Sequence, residues 1–309
     1  MNIAIIGAGL VGSGWALVFA GAGFGVRAYD PSEEVRDRIL PWAKDSLCEM
    51  AEAGLVQDPD AILSRITVHP TLAEAVDGAF YVQESVFETV EVKTAVSLEL
   101  DRTIAPDALV GSSSSGIPAS RFTAECKNRA RFMIAHPVNP PHLVPVVEIV
   151  PAPWTDPKAV ATVTALMRNV EQVPVRLTRE IDGFVLNRLQ GVLLNEAWAL
   201  YQDGIASLDD IDATVAHGLG LRWAFMGPFE TIDLNAPGGI GDYAVRLRGL
   251  YAGMVRNPPP APWPDEVIER ATNELRSALP ADELAKRRAW RDERLARLAA
   301  FKKSKGFSG

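Results

Sequence analysis

The chain has 309 residues, 48% of them hydrophobic and 23% charged. That is enough apolar material for roughly two packed domains, and it excludes a largely disordered chain. The net charge of -8 argues against a general nucleic-acid binder, which would carry a basic face.

From the N-terminus, Asn2 to Ile6 reads as a strand, Ser13 to Ala22 as a helix and Gly25 to Tyr29 as a second strand. The uncharged stretch Ile3 to Val26 is long enough to span a bilayer, but it is interrupted by glycines and no basic residue precedes it. A buried strand followed by a buried helix accounts for it, so no membrane contact is expected. Ser32 opens a helical stretch to about Ala53, with Glu33 and Glu34 at its positive end and Pro41 expected to interrupt or kink it. Further strands are expected at Ile66 to Val68, Gly78 to Val82, Ala108 to Gly111 and Arg131 to Ala135, with a helix over Thr89 to Leu100. Val144 to Val150 and Val173 to Leu177 read as later strands, separated by a helix from about Pro157 to Val170. This alternation predicts a parallel sheet with helices on both faces.

After Asp182 the strand signal ends. Gly183 to Asp203 reads as a long apolar helix. Ser207 and Asp210 resemble a capping box that opens a helix over Leu208 to His217, and Pro228 opens another. Asn257 to Pro264 is expected to form a rigid proline-rich loop, and Asp282 to Lys305 a charged helix whose mixed signs mark a solvated face. The fold class expected is therefore α/β, a Rossmann-type doubly wound sheet domain over residues 1–182 followed by an all-α domain over residues 183–309. Cys48 and Cys126 lie far apart with no CxxC spacing, so no disulfide framework and no metal pair are read from them. Two free thiols fit a cytoplasmic protein.

Gly7-Ala8-Gly9-Leu10-Val11-Gly12 fits the pattern GxGxxG between a strand and a helix, the context in which that pattern binds a dinucleotide. Gly7 permits the tight turn, Gly9 lets a pyrophosphate approach the backbone, and Gly12 lets helix and strand pack closely. Asp30, just past the second strand, is suited to the adenosine ribose hydroxyls and would repel a 2′-phosphate, so the expected cofactor is NAD.

An alcohol dehydrogenase needs a base near the carbon that releases hydride, and His serves near neutral pH. Of His69, His136, His142 and His217, His136 directly follows an expected strand and precedes the stiff turn Pro137 to Pro141. Glu148 is a lone acid in an apolar strand and needs a partner, which His136 can be. A merely structural His–Glu pair satisfies the same pattern. Ser112 to Ser115 lie past another strand end, where they form either a polar loop or a site for a substrate hydroxyl or the nicotinamide amide, and no GxSxG elbow surrounds them. Asn187, in an apolar helix, either polarises a carbonyl or caps its neighbours.

Taken together, GAGLVG, QESVFETVEVK, GSSSSGIPAS, AHPVNPP, VEIVPAP, GFVLNRLQ and GLGLRWAFMGPFETIDLNAPGG resemble the 3-hydroxyacyl-CoA dehydrogenase superfamily, and within it the lambda-crystallin branch, whose activity is L-gulonate 3-dehydrogenation. The resemblance implies His136 as catalytic base, Glu148 as its orienting acid, Asn187 as the helical amide and Ser115 as the active serine, with Ser114 as the alternative. It implies cofactor contacts at Asp30, Glu88 and Lys93, and places Asn139 near substrate and nicotinamide. The Arg222-Trp223 insertion offers a guanidinium suited to a carboxylate, against the plain reading of a surface salt bridge. The expectation is an NAD-dependent oxidation of a small 3-hydroxy acid, L-gulonate-like, by a homodimer. A CoA-thioester dehydrogenase and a non-catalytic crystallin-like protein are the alternatives.

Overall fold

The computed structural model describes residues 1–254 and 263–306, so most of the expected loop over Asn257 to Pro264 lies outside the described residues. It divides into two compact units, residues 1–188 with 288–309, and residues 189–287.

The first unit is built on an eight-stranded sheet of order β3-β2-β1-β4-β5-β6-β7-β8. The strands are β1 (Asn2–Ile6), β2 (Gly25–Tyr29), β3 (Ile66–Val68), β4 (Ala79–Glu84), β5 (Leu109–Ser112), β6 (Phe132–Pro137), β7 (Val146–Pro151) and β8 (Val173–Arg176). Around it lie α1 (Leu10–Gly21), α2 (Glu33–Glu52), α3 (Pro59–Leu63), α4 (Leu72–Val76), α5 (Val90–Thr103) and α6 (Pro157–Asn169). The doubly wound α/β architecture expected from the alternation is thus present. The strand order reverses direction between β1 and β4, which makes the carboxyl ends of those strands the ligand crevice.

Three details differ from the sequence reading. The sheet is not wholly parallel: β7 runs antiparallel to β6, while β7 and β8 are parallel. The connection from Val138 to Pro145 is too short to carry a crossover helix, so the chain can only turn back. Secondly, α2 continues through Pro41 without a break. Its packed face is Ile39, Ala43 and Leu47, whereas Pro41 is exposed on the other side. Burial of that face outweighs the one missing backbone bond. Thirdly, His136 lies inside β6 rather than after it.

Local chemistry fixes the other boundaries. Ser32, Asp58, Thr71 and Thr89 each accept a backbone N–H three residues on and so begin α2, α3, α4 and α5. The short helices α3 and α4 carry too little periodicity to be read in advance. One core cluster joins Ile3, Ile5, Trp15, Phe19, Tyr81 and Met133 with α2 and α6. A second, on the other face, joins Ala4, Ile6, Val82, Leu100 and Phe132.

The second unit is helical. α7 (Leu186–Gln202) begins in the first unit and continues into the second, starting three residues later than Gly183, because Gly183 and Phe184 both have positive φ. It is followed by α8 (Leu208–Thr214), α9 (Gly220–Trp223), α10 (Pro228–Leu234), α11 (Gly239–Met254) and α12 (Asp265–Ala278). The Ser207 hydroxyl accepts the Asp210 N–H at 3.1 Å, as the capping pattern requires, and α8 then passes into a π-turn over Val215–Leu219 instead of continuing to His217 as α-helix. The core of this unit is small: Tyr201, Val267 and Ala271, with Trp198, Leu208 and Ile211 around them. Finally, α13 (Leu284–Ser304) carries the chain back to the first unit, where Lys303 pairs with Glu171 at 2.7 Å.

Candidate active site

The carboxyl ends of β1, β4, β5 and β6 bring most of the expected site residues together in the first unit. Gly7 has φ +88, and a Cβ there would lie 2.6 Å from the Ser85 backbone; a Cβ on Gly12 would overlap the Gly7 carbonyl. Both positions therefore require glycine. A Cβ on Gly9 would meet nothing within 4 Å. Gly9 thus faces open space at the start of α1, the cradle a dinucleotide pyrophosphate fits. Asp30 steadies this loop: Oδ2 accepts the Ala8 N–H at 2.9 Å and Oδ1 the Ser32 N–H at 3.0 Å. Each carboxylate oxygen keeps a lone pair for ribose hydroxyls.

The antiparallel register of β6 and β7 sets His136 opposite Glu148. The imidazole Nδ1 meets Glu148 Oε2 at 2.8 Å. Glu148 Oε1 accepts the N–H groups of Val185 and Leu186, at 2.8 and 3.0 Å, where α7 begins. Glu148 is 1% exposed and His136 6%. Burial raises the Glu148 pKa, but the hydrogen bonds from His136, Leu186 and Val185 outweigh it and hold the carboxyl below its usual range. An ionised Glu148 only accepts, so Nδ1 carries the proton and Nε2 is left as a base. The Phe184 ring, fully buried at 5.8 Å from the imidazole, covers one side of it.

The serine loop is organised by Glu88. Its Oε1 accepts from the backbone N–H of Ser115 at 2.6 Å and of Gly116 at 2.8 Å, and its Oε2 accepts the Ser115 hydroxyl at 2.7 Å. Burial opposes ionisation of Glu88, yet these donors lower its pKa. Asn187 Nδ2 donates to the Ser115 carbonyl at 2.7 Å, which ties the first turn of α7 to the loop. Ser114 is 1% exposed, with its hydroxyl 2.9 Å from both Glu88 Oε1 and the Ile117 carbonyl, whereas Ser115 is half-buried.

Other expected residues stand apart. Lys93 is 1% exposed, and its ammonium lies 2.9 Å from Glu84 Oε1 and 3.3 Å from the Ser112 hydroxyl. Glu84 also accepts the Val86 N–H at 2.7 Å, so this buried ion pair braces the loop that leads to Glu88. Asn139 is exposed in the turn between β6 and β7. Arg222 is exposed on α9 in the second unit. The sequence reading missed Phe184 and the α7 N–H groups on Glu148; the positive φ at Gly183, a glycine just before an apolar helix, is the one signal that pointed to them.

Comparison with known proteins shows what the chain as a whole is similar to. Residues 2–181 match the family model for the 3-hydroxyacyl-CoA dehydrogenase NAD binding domain, and residues 183–277 match the model for the 3-hydroxyacyl-CoA dehydrogenase C-terminal domain. A lambda-crystallin homolog of Rattus norvegicus is 38% identical, covering 97% of this chain and 96% of its own. An L-carnitine dehydrogenase of Staphylococcus epidermidis is 33% identical, covering 89% of this chain and 83% of its own. Among solved structures, a 5-formyl-3-hydroxy-2-methylpyridine 4-carboxylic acid 5-dehydrogenase, described as an NAD+ dependent dismutase, superposes with a TM-score of 0.83 at 29% identity, covering 98% of this chain and 97% of that one.

Proposed function

The chain belongs to the 3-hydroxyacyl-CoA dehydrogenase family, an NAD-dependent oxidoreductase acting on CH–OH, and from that premise we propose that it oxidises the 3-hydroxyl of a small free 3-hydroxy acid, L-gulonate-like, to the 3-keto acid. The observation that carries this reading is the His136–Glu148 pair at 2.8 Å, which leaves Nε2 to take the hydroxyl proton. NAD, when bound, supplies the acceptor for the hydride. Glu148 stabilises the imidazolium as His136 gains its proton, a contribution of about 10²–10⁴ in rate for a well-placed base. The substrate hydroxyl gives its one proton to His136, so Ser115 serves the substrate oxygen as a donor, with its hydroxyl proton turning to it from Glu88. Asn187 holds that serine in place through its carbonyl, which leaves the second N–H of its amide for the developing ketone.

In this reading Gly7, Gly9, Gly12 and Asp30 hold the adenosine and pyrophosphate half of NAD, with Asn139 and Glu88 toward the nicotinamide. Lys93 acts on the same crevice through Glu84. Residues 1–182 are read as the NAD domain and residues 183–309 as the part for substrate binding and dimerisation, although 183–188 and 288–309 pack within the first unit. A cytoplasmic setting suits the two free cysteines, Cys48 and Cys126. Among the described residues no helix is long and apolar enough to cross a membrane.

The free acid is favoured by Arg222 beside Trp223 and by the likeness to an L-carnitine dehydrogenase, whose named substrate is itself a free 3-hydroxy acid. The CoA thioester remains the second reading, on the strength of the family models and of a 36% identical 3-hydroxyacyl-CoA dehydrogenase of Gibberella moniliformis. NADH formation with L-gulonate, L-carnitine and 3-hydroxybutyryl-CoA side by side separates the two. A free acid is expected to give the highest kcat/KM, and Arg222→Met to raise KM for that acid alone. A preference for the thioester overturns the substrate and leaves the base assignment standing.

A further inference from the structure

β4 carries a second polar network that the alcohol chemistry does not use. Tyr81, Gln83 and Ser85 alternate along the strand and past its end, so all three face the same side of the sheet. That side packs on α1, where Tyr81 is buried and meets the Phe19 ring edge-on at 5.8 Å. Gly111 on β5 leaves the space for the phenol hydroxyl, since a Cβ there would overlap it.

The links from Tyr81 through Gln83 to Ser113 have a fixed direction. Tyr81 donates to Gln83 Oε1 at 2.6 Å. Gln83 Nε2 donates to the Ala135 carbonyl at 3.1 Å and to the Ser113 hydroxyl at 2.8 Å. A carbonyl can only accept, so the Gln83 amide nitrogen must face Ala135 and its oxygen must face Tyr81. The Ser113 and Ser85 hydroxyls meet at 2.8 Å. These two serines hold two hydroxyl protons, and their mutual contact uses one. Whichever serine donates to the other, the pair presents one further proton outward.

The place it presents that proton is the crevice. Ser85 donates its backbone N–H to the Ile6 carbonyl at 2.7 Å, and Ser113 donates its own to the Glu84 carbonyl at 2.7 Å. Each is therefore the first residue past a strand end, beside the reversal between β1 and β4, and both are half-buried. Gly7 of the phosphate loop rests on the Ser85 backbone, and Ser113 precedes Ser115 by two residues. The pair thus lies between the pyrophosphate cradle and the catalytic serine loop, where the nicotinamide half of a dinucleotide crosses the sheet ends.

We propose that Ser85 and Ser113 anchor the carboxamide oxygen of the nicotinamide, with Gln83 and Tyr81 as positioning residues that hold the Ser113 hydroxyl in place. The match is one donor to one acceptor, and such a contact would orient the nicotinamide when bound. The proposal rests on NAD as cofactor and not on the role of His136.

The test titrates the full chain with NADH and with ADP-ribose, which lacks the nicotinamide. The double variant Ser85→Ala with Ser113→Ala is expected to bind NADH about tenfold more weakly, the loss of one hydrogen bond. Its ADP-ribose affinity is expected to be unchanged. Equal weakening of both ligands, or no weakening of either, overturns the proposal. A wild-type chain that binds neither ligand overturns the cofactor reading instead. Thionicotinamide adenine dinucleotide, whose sulfur is a poor acceptor, gives a readout that a purely structural role would not move. The wild type is expected to discriminate against it and the double variant to lose that discrimination, with Gln83→Leu shifting in the same direction. Equal discrimination in wild type and double variant contradicts the anchor.

Discussion

Burial on its own raises the pKa of Glu148, yet three donors hold it low, and two of them are backbone N–H groups that no sequence pattern displays. His142 shows the opposite balance. Burial holds its ring at a pKa of about 4, from the ordinary 6.5, with Asp292 opposing. Its Nδ1 is buried without a hydrogen-bond partner among the described residues, and its ring meets Trp42 edge-on at 5.7 Å. Between the ordinary value and the depressed one, the unfolded chain binds a proton that the folded chain refuses. Stability from this residue is therefore full above that window and lost as pH falls through it, by at most about 1.4 kcal/mol per pH unit. Thermal unfolding across the window is expected to show a shallower pH slope for His142→Phe, which keeps a ring against Trp42. An unchanged slope would contradict the assignment. At this scale the sequence indicated the places of Gly7, Gly9, Gly12 and Asp30 near strand ends and the pairing of His136 with Glu148. Gln83 and Tyr81 were illegible because their partners Ser113 and Ala135 depend on register between strands.

The elements were legible wherever periodicity or a cap announced them. β1, β2 and β3 follow the apolar runs residue for residue, and α5 follows Thr89. Competing tertiary terms account for the misses. The reversal at β7 follows from the length of one loop, not from the composition of the strand. Pro41 reads as a breaker because local propensity says so, whereas the buried face of α2 decides otherwise. The start of α7 moves inward because Gly183 and Phe184 leave helical geometry. That shift brings the Val185 and Leu186 N–H groups onto Glu148, so the irregularity itself builds part of the site.

The two units differ in how completely they bury their apolar residues. The first has large clusters on both faces of its sheet, whereas the second leaves Leu189, Val192, Phe229, Leu234 and Val245 exposed. A helical unit with so small a core and so much exposed apolar surface calls for a partner, and a second copy of the chain is the proposed one. Light scattering at micromolar concentration is expected to give twice the chain mass of 33.4 kDa, and a monomer would count against the dimer.

The central claim, that His136 is the base of an NAD-dependent alcohol oxidation, meets its most direct test in His136→Ala. Turnover and NADH affinity are measured on the same preparation. The account predicts turnover lower by about 10²–10⁴ with NADH binding unchanged. Full turnover in the variant would contradict it.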